Sequence, residues 1–95
     1  MKTLKITRPH RHDGWLEGVY DGHKFCAKVY DEPSRFGING GRTSKLQVLQ
    51  KGAKNWSFTK TLYNYDRGID IDHVIGAELA AELEKLPKVF RGFNG

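Results

Sequence analysis

The stretch WLEGVYDGHKFCAKVY, residues 15–30, decides the fold. Its two halves, Trp15–Tyr20 and His23–Tyr30, flank Asp21-Gly22, a dipeptide typical of the tight type I′ turn between antiparallel strands. Successive side chains of a strand point to opposite faces, so one face of the second half is apolar and the other mostly polar. The face expected in the core carries Phe25, Ala27 and Val29, and the other face carries Lys24, Cys26, Lys28 and Tyr30.

Alternating patterns predict further strands on both sides of this hairpin. Leu4 and Ile6 alternate with polar residues in a short first strand that Pro9 ends. Ser44–Gln50 and Asn55–Tyr65 follow as strands, and Ile69–His73 is either an edge strand or the approach to a helix. The side chains expected to point inward from these later strands are Leu46 and Val48, and then Trp56, Phe58 and Leu62.

The apolar period changes from two to that of a helix near residue 74. Apolar residues then recur at spacings of four, four and three, which places them on one helical face; they are Ile75, Leu79, Leu83 and Leu86. Asp72 or His73 is expected near the helix N-terminus, and Pro87 is expected to end or kink the helix.

Together these patterns predict an α+β fold, an antiparallel β-meander of about five strands with one C-terminal helix packed on one face. A chain of 95 residues has room for about one domain. We expect a single domain over 1–95, with an N-terminal strand and connection at 1–13, the meander at 14–70, the helix at 73–87 and a tail at 88–95.

The composition points to the cytoplasm and gives the chain a net charge of +5. Cys26 is the only cysteine, so no disulfide can form within the chain, as is usual in a reducing compartment. Neither a signal peptide nor a membrane partner is expected. The 33 residues from Pro33 to Tyr65 contain no acid, and such a block of one sign can focus an electrostatic field.

The segment FGINGGRTSK, residues 36–45, is a candidate anion site within this basic block. Its glycines would let backbone N–H groups converge on a phosphate, with Arg42 and Lys45 adding charge. In the alternative interpretation, Asn39 and Gly40 only supply the positive φ angles of a turn.

The same block is a candidate nucleic-acid interface, because its bases are interleaved with the aromatic residues Phe36, Trp56 and Phe58. We expect the two residues of the later strand to be core, which would leave no stacking platform and only charge. The candidate binding residues for a nucleic acid or another partner are Arg35, Asn39, Gly40, Gly41, Arg42, Lys45, Lys54 and Lys60.

Catalytic and metal chemistry find little support in the sequence. The clusters of ligand type are His10-x-His12 and Asp70-x-Asp72-His73, and neither supplies the cysteine and histidine set of a closed zinc site. Lys24 and Lys28 could lower the pKa of the Cys26 thiol, but no motif places a histidine beside it, and the alternative is a small buried or half-buried cysteine. We therefore expect no metal, no cofactor and no enzymatic activity.

Several segments resemble a small domain of unknown function found in bacteriophages and prophages of Gram-positive bacteria. They are WLEG at 15–18, FCAKVY at 25–30, FGINGGRTSKL at 36–46 and NYDRG at 64–68. The family has no established activity, so the resemblance assigns no functional residue. It implies a small accessory protein of a mobile element, active in the cytoplasm of the host cell.

Three functions remain open. The first is a non-enzymatic binding protein that acts on a host protein or nucleoprotein, including a defence system. The second is a direct nucleic-acid-binding module that uses the basic segment 35–60. The third is a small-molecule binder or an enzyme, which would require a pocket lined by titratable groups.

Overall fold

The computed structural model describes residues 3–8, 15–30, 32–56, 58–66 and 68–86. Their strands form one antiparallel sheet in which the spatial order β1-β2-β3-β4-β5-β6 follows the sequence, and a helix packs on one face. The elements are β1 (Leu4–Arg8), β2 (Trp15–Tyr20), β3 (His23–Val29), β4 (Thr43–Leu49), β5 (Thr61–Asp66), β6 (Ile69–Ile71) and α1 (Val74–Leu83).

The central hairpin is confirmed, including its turn. Tyr20 pairs with His23, and the two residues between them have the positive φ angles that a type I′ turn requires, 50° at Asp21 and 81° at Gly22. The predicted faces are confirmed as well, because Phe25, Ala27 and Val29 are all fully buried.

The core lies between the sheet and α1. The helix contacts β4 and β5 with the predicted apolar face, whose members Ile75, Leu79 and Leu83 are buried. His73 is the N-cap, and its Nδ1 accepts a hydrogen bond from the backbone N–H of Ile75 at 3.1 Å. Pro87 and the tail at 88–95 lie outside the described residues.

The prediction of about five strands is corrected to six. Ile69–Ile71 forms the edge strand β6, which the sequence left undecided between a strand and a helix approach. The pairing between β5 and β6 is irregular, with a register shift between Asn64 and Tyr65 on β5. The short, bulged pairing explains why the alternating pattern was weak there.

The strand predicted at Asn55–Tyr65 begins only at Thr61. Residues 58–60 form a single 3₁₀ turn instead, so the alternation counted from Trp56 does not continue into β5. The inward side chain of β5 is consequently Tyr63, which is 2% exposed, while Leu62 is only half-buried. The side chain of Phe58 lies outside the described part of the structure.

Candidate functional site

The sheet has a second face, opposite α1, which we call the outer face. No helix of the described chain covers it, and its side chains are mostly half-buried. The strands β2 to β5 contribute Trp15, Glu17, Lys24, Cys26, Lys28, Lys45, Gln47, Asn64 and Asp66 to it.

Strand register arranges these side chains in two adjacent cross-strand rows. One row runs Trp15, Lys28, Lys45, Asp66, and the other runs Arg8, Glu17, Cys26, Gln47, Asn64. Because neighbouring strands lie about 4.8 Å apart, each row places its adjacent members within reach of one another.

A cleft of about 390 Å³ opens on the outer face and has a tryptophan from each of two distant segments, so we call it the tryptophan cleft. Its lining residues are Arg8, Trp15, Leu16, Glu17, Cys26, Gln47 and Trp56. A shallower depression of about 180 Å³ shares three of them, Trp15, Cys26 and Gln47, and continues toward β5. The two depressions form a track across the sheet, transverse to the strands.

The connection between β4 and β5 carries Trp56 to the cleft. Two backbone hydrogen bonds within this connection hold it closed. The N–H of Gln50 donates to the oxygen of Lys60 at 2.8 Å, and the N–H of Ala53 donates to the oxygen of Gln50 at 3.0 Å. Lys24 of β3 then ties it to the sheet by donating from Nζ to the backbone oxygen of Lys54 at 3.2 Å.

Each tryptophan of the cleft has a lysine ammonium over its ring. Lys24 Nζ lies 5.3 Å from the centroid of the Trp56 ring, and Lys45 Nζ lies 6.0 Å from that of Trp15. Both distances fall in the range of cation–π attraction. Trp56 nevertheless remains 39% exposed, so the prediction that it belongs to the core is wrong.

The floor of the cleft is polar and fixed. Gln47 Nε2 donates a hydrogen bond to Thr61 Oγ1 at 2.9 Å, which holds the amide in one orientation. Burial, and then the nearby charge of Glu17, raise the pKa of the Cys26 thiol to about 11. The half-buried cysteine is therefore the interpretation that the structure supports, and Cys26 is a poor nucleophile at neutral pH.

The glycine-rich loop faces the helix side, and its anion comes from within the chain. Glu84, just after α1, accepts hydrogen bonds at Oε2 from the backbone N–H groups of Arg42 and Thr43, at 2.8 and 3.3 Å. A Cβ at Gly41 would lie 2.6 Å from the same carboxylate, so a side chain there would displace Glu84 from this position. Backbone N–H groups of this loop therefore converge on an anion, and that anion is Glu84 of the same chain.

The guanidinium of Arg42 forms hydrogen bonds with the backbone at the end of the helix. It donates from Nε to the backbone oxygen of Tyr30 at 2.8 Å, and from Nη1 to those of Glu84 and Leu86 at 3.2 and 2.8 Å. Only 8% of the residue is exposed, so this side chain supports the fold and offers no surface to an external phosphate.

The structure divides the eight candidate binding residues among three places. Lys45 lies on the outer face, and Lys54 and Lys60 line a depression of about 500 Å³ in the β4–β5 connection. Asn39 and Gly40 are exposed and have positive φ angles of 54° and 71°, as the turn interpretation required. The other members of the glycine-rich loop are Arg35, Gly41 and Arg42.

Sequence reasoning missed the tryptophan cleft because it read Trp56 as part of a strand. The sequence does predict a turn at Gly52, where the structure has a φ of 82°, but no local pattern shows that the connection continues past Trp56 to Lys60. Within the described ranges no group of three or more histidine, cysteine, aspartate or glutamate side chains is arranged to hold a metal ion. No described helix is long and apolar enough to cross a membrane.

Comparison with known proteins gives a family without an assigned activity. Residues 14–85, well over half of the chain, match the family model of a domain of unknown function, DUF7678. No curated protein and no solved structure matches the chain. The matched range begins just before β2 and ends just after Glu84, so it includes the outer-face strands β2 to β5 and the loop–helix contact. The chain therefore belongs to the DUF7678 family of domains of unknown function.

Proposed function

We propose that the chain is a non-enzymatic binding module that holds single-stranded nucleic acid on the outer face of its sheet. The observation that supports this most directly is the tryptophan cleft, where Trp15 and Trp56 stand on a face that no helix covers in the described part of the chain. Proteins that bind single strands combine such aromatic platforms with a groove of positive charge.

Stacking on the tryptophans would supply the affinity for bases. Alanine substitutions show that a base stacked on an aromatic side chain contributes about 1–3 kcal/mol, with little dependence on its identity. Duplexes keep their bases paired and stacked internally, so this contribution favours unpaired strands. Trp56 is the better placed of the two, since it stands in a connection rather than within a strand and is 39% exposed.

Lysine and arginine side chains would hold the phosphates. The basic residues of the outer face are Lys5, Arg8, Lys24, Lys28 and Lys45, all on β1 to β4. Acids collect at the opposite edge, where Asp66 and Asp70 follow on β5 and β6. A single-stranded nucleic acid would therefore run across β1 to β4 and end before it reaches the acidic edge.

The resemblance to phage domains implies a host protein or nucleoprotein as the binding partner. A nucleoprotein fits this chemistry, because its exposed single-stranded nucleic acid offers the same bases and phosphates. A mobile-element origin and a host target remain part of the proposal. A host protein without nucleic acid is the alternative partner, and it would not require stacking on Trp56.

The test uses a fluorescein-labelled single-stranded oligodeoxycytidine of about 15 nucleotides, within the usual site size for such modules. Fluorescence anisotropy at low salt should show binding that Trp56→Ala weakens about tenfold, since one stacking platform is lost. The chain contains only two tryptophans, Trp15 and Trp56, so binding should also quench its intrinsic fluorescence.

Phe36→Ala is the matched control. Phe36 is also an exposed aromatic, 47% exposed with the Arg35 guanidinium 5.0 Å from its ring centroid, but it lies in the glycine-rich loop on the helix side. Its truncation should leave the affinity within about twofold, since it removes no platform from the outer face. Absence of binding by the wild-type chain, or equal losses in the two variants, would rule the proposal out.

A further inference from the structure

One carboxylate lies inside the proposed nucleic-acid site. Glu17 is in the middle of β2, lines the tryptophan cleft with Trp15 and Trp56, and pairs across the strands with Cys26. Only 34% of its side chain is exposed. A half-buried acid would repel phosphates on a surface proposed to bind them, so Glu17 does not fit a role in holding the backbone.

The carboxylate of Glu17 keeps most of its capacity to accept hydrogen bonds. Among the described residues its one close polar contact is Arg8, with 4.0 Å between Arg8 Nε and Glu17 Oε2, which is an ion pair at its outer limit. An ionised carboxylate has about four lone-pair sites for donors. The side chain of Arg8 is 57% exposed, so it stays available to the solvent or to a phosphate.

The chemistry of the bases decides which donor fits an acceptor of this kind. Cytosine and adenine present an exocyclic amino group, and guanine presents an amino group beside a ring N–H. Thymine and uracil present a single ring N–H between two carbonyl oxygens. A carboxylate that approached this N–H would be repelled by the two oxygens. Glutamate accepting from the cytosine amino group is a known mode of base recognition.

We propose that Glu17 is the base-selecting residue of the cleft, and that it favours bases with an amino group over thymine and uracil. This inference rests on the proposed function, because it requires a base to enter the cleft. The tryptophans then supply affinity for any base, the lysines hold the backbone, and Glu17 supplies the preference.

The experiment compares single-stranded oligodeoxycytidine and oligothymidine of equal length, about 15 nucleotides, by fluorescence anisotropy near neutral pH. Both are pyrimidines, so stacking and charge are matched and the amino group is the main difference. The wild-type chain should bind oligodeoxycytidine at least about fivefold tighter. Glu17→Gln should bring the ratio of the two affinities close to one, because an amide both donates and accepts and can pair with either base.

Glu82→Gln is the charge-matched control. Glu82 is on α1, on the other side of the sheet, and its ion pair with Lys85 at 3.2 Å is exposed. This variant removes the same charge and should leave the ratio of the two affinities unchanged.

The outcomes separate the two proposals. If both oligonucleotides bind and Glu17→Gln leaves the ratio unchanged, or the wild-type chain prefers thymidine, selection by Glu17 is overturned while the proposed function stands. If neither binds, both fall. The wild-type ratio tests the inference by itself should the variant fold poorly.

Discussion

Arg42 and Glu84 hold each other by contacts in both directions. The carboxylate of Glu84 accepts from the backbone of the glycine-rich loop, and the guanidinium of Arg42 donates to the backbone just after α1. Hydrogen bonds that involve a charged group are about twice as strong as neutral ones, and here they close loop and helix into one unit. Arg42, which the sequence indicated as a candidate binding residue, is therefore part of the scaffold.

Replacing Arg42 by methionine should therefore lower the free energy of unfolding by about 3 kcal/mol, because three partly buried carbonyl oxygens lose a charged donor. Methionine keeps the apolar stem and fills much of the same space, so the loss reports on the hydrogen bonds. Urea denaturation followed by circular dichroism would measure it.

Arg35→Met is the matched substitution in the same loop. Arg35 is exposed, and its one described contact is with the ring of Phe36, so less than about 1 kcal/mol should be lost. Equal losses in the two variants would show that Arg42 does not tie the loop to α1.

At the scale of elements, α1 lies close to the sheet because of Gly76. This glycine is buried in the first turn of the helix, and a Cβ there would overlap the ring of Tyr63 on β5. In an exposed helix, alanine in place of glycine adds about 1 kcal/mol of stability. The close approach to a ring that is itself packed in the core reverses that sign here.

We expect Gly76→Ala to reduce the stability by about 2 kcal/mol, since either the helix or the Tyr63 ring must move. Thermal unfolding of the variant, compared with that of the wild-type chain, would show a lower midpoint. Ala77→Gly, at the exposed neighbouring position, should cost about 1 kcal/mol through helix propensity alone. A stabilised Gly76→Ala variant would contradict the packing described here.

The sequence allowed the elements with strong, uninterrupted periods to be predicted. The hairpin of residues 15–30 and the apolar face of α1 are examples, because each repeats its pattern over several turns or pairs. The prediction from sequence failed at Trp56, because a 3₁₀ turn interrupts the alternating pattern before β5. A periodic pattern cannot show such an interruption. The Arg42–Glu84 contact was also beyond reach, because it joins residues 42 positions apart that no local pattern relates.

At the scale of the whole molecule, charge is divided between the two ends of the sheet. Lysine and arginine side chains follow the outer face from β1 to β4, and acids gather on β5 and β6. A net charge of +5 alone would give only non-specific attraction. In the proposed function, the basic side chains of β1 to β4 and the two tryptophans together would give the outer face a direction and a site.

Binding to a single strand should weaken steeply as salt is added. For single strands the logarithm of the binding constant falls with that of salt concentration by about 0.7 per neutralised phosphate, so Lys28→Gln should make the slope about 0.7 shallower. Lys28 is suitable because its row places it between Trp15 and Lys45. Arg35→Gln, away from this face, should leave the slope unchanged, and equal slopes for all three chains would contradict the proposed track.

The sheet order that follows the sequence has a consequence for how the chain folds. Each strand needs only its neighbour in the sequence, so hairpins can form one after another without a distant segment arriving first, and local pairing of this kind speeds folding. A slip of one residue in any pairing would, however, turn the outward lysines toward the apolar side and the buried leucines toward water. The tight Asp21-Gly22 turn therefore serves both rapid assembly and correct two-sidedness, because it fixes the register of the central hairpin.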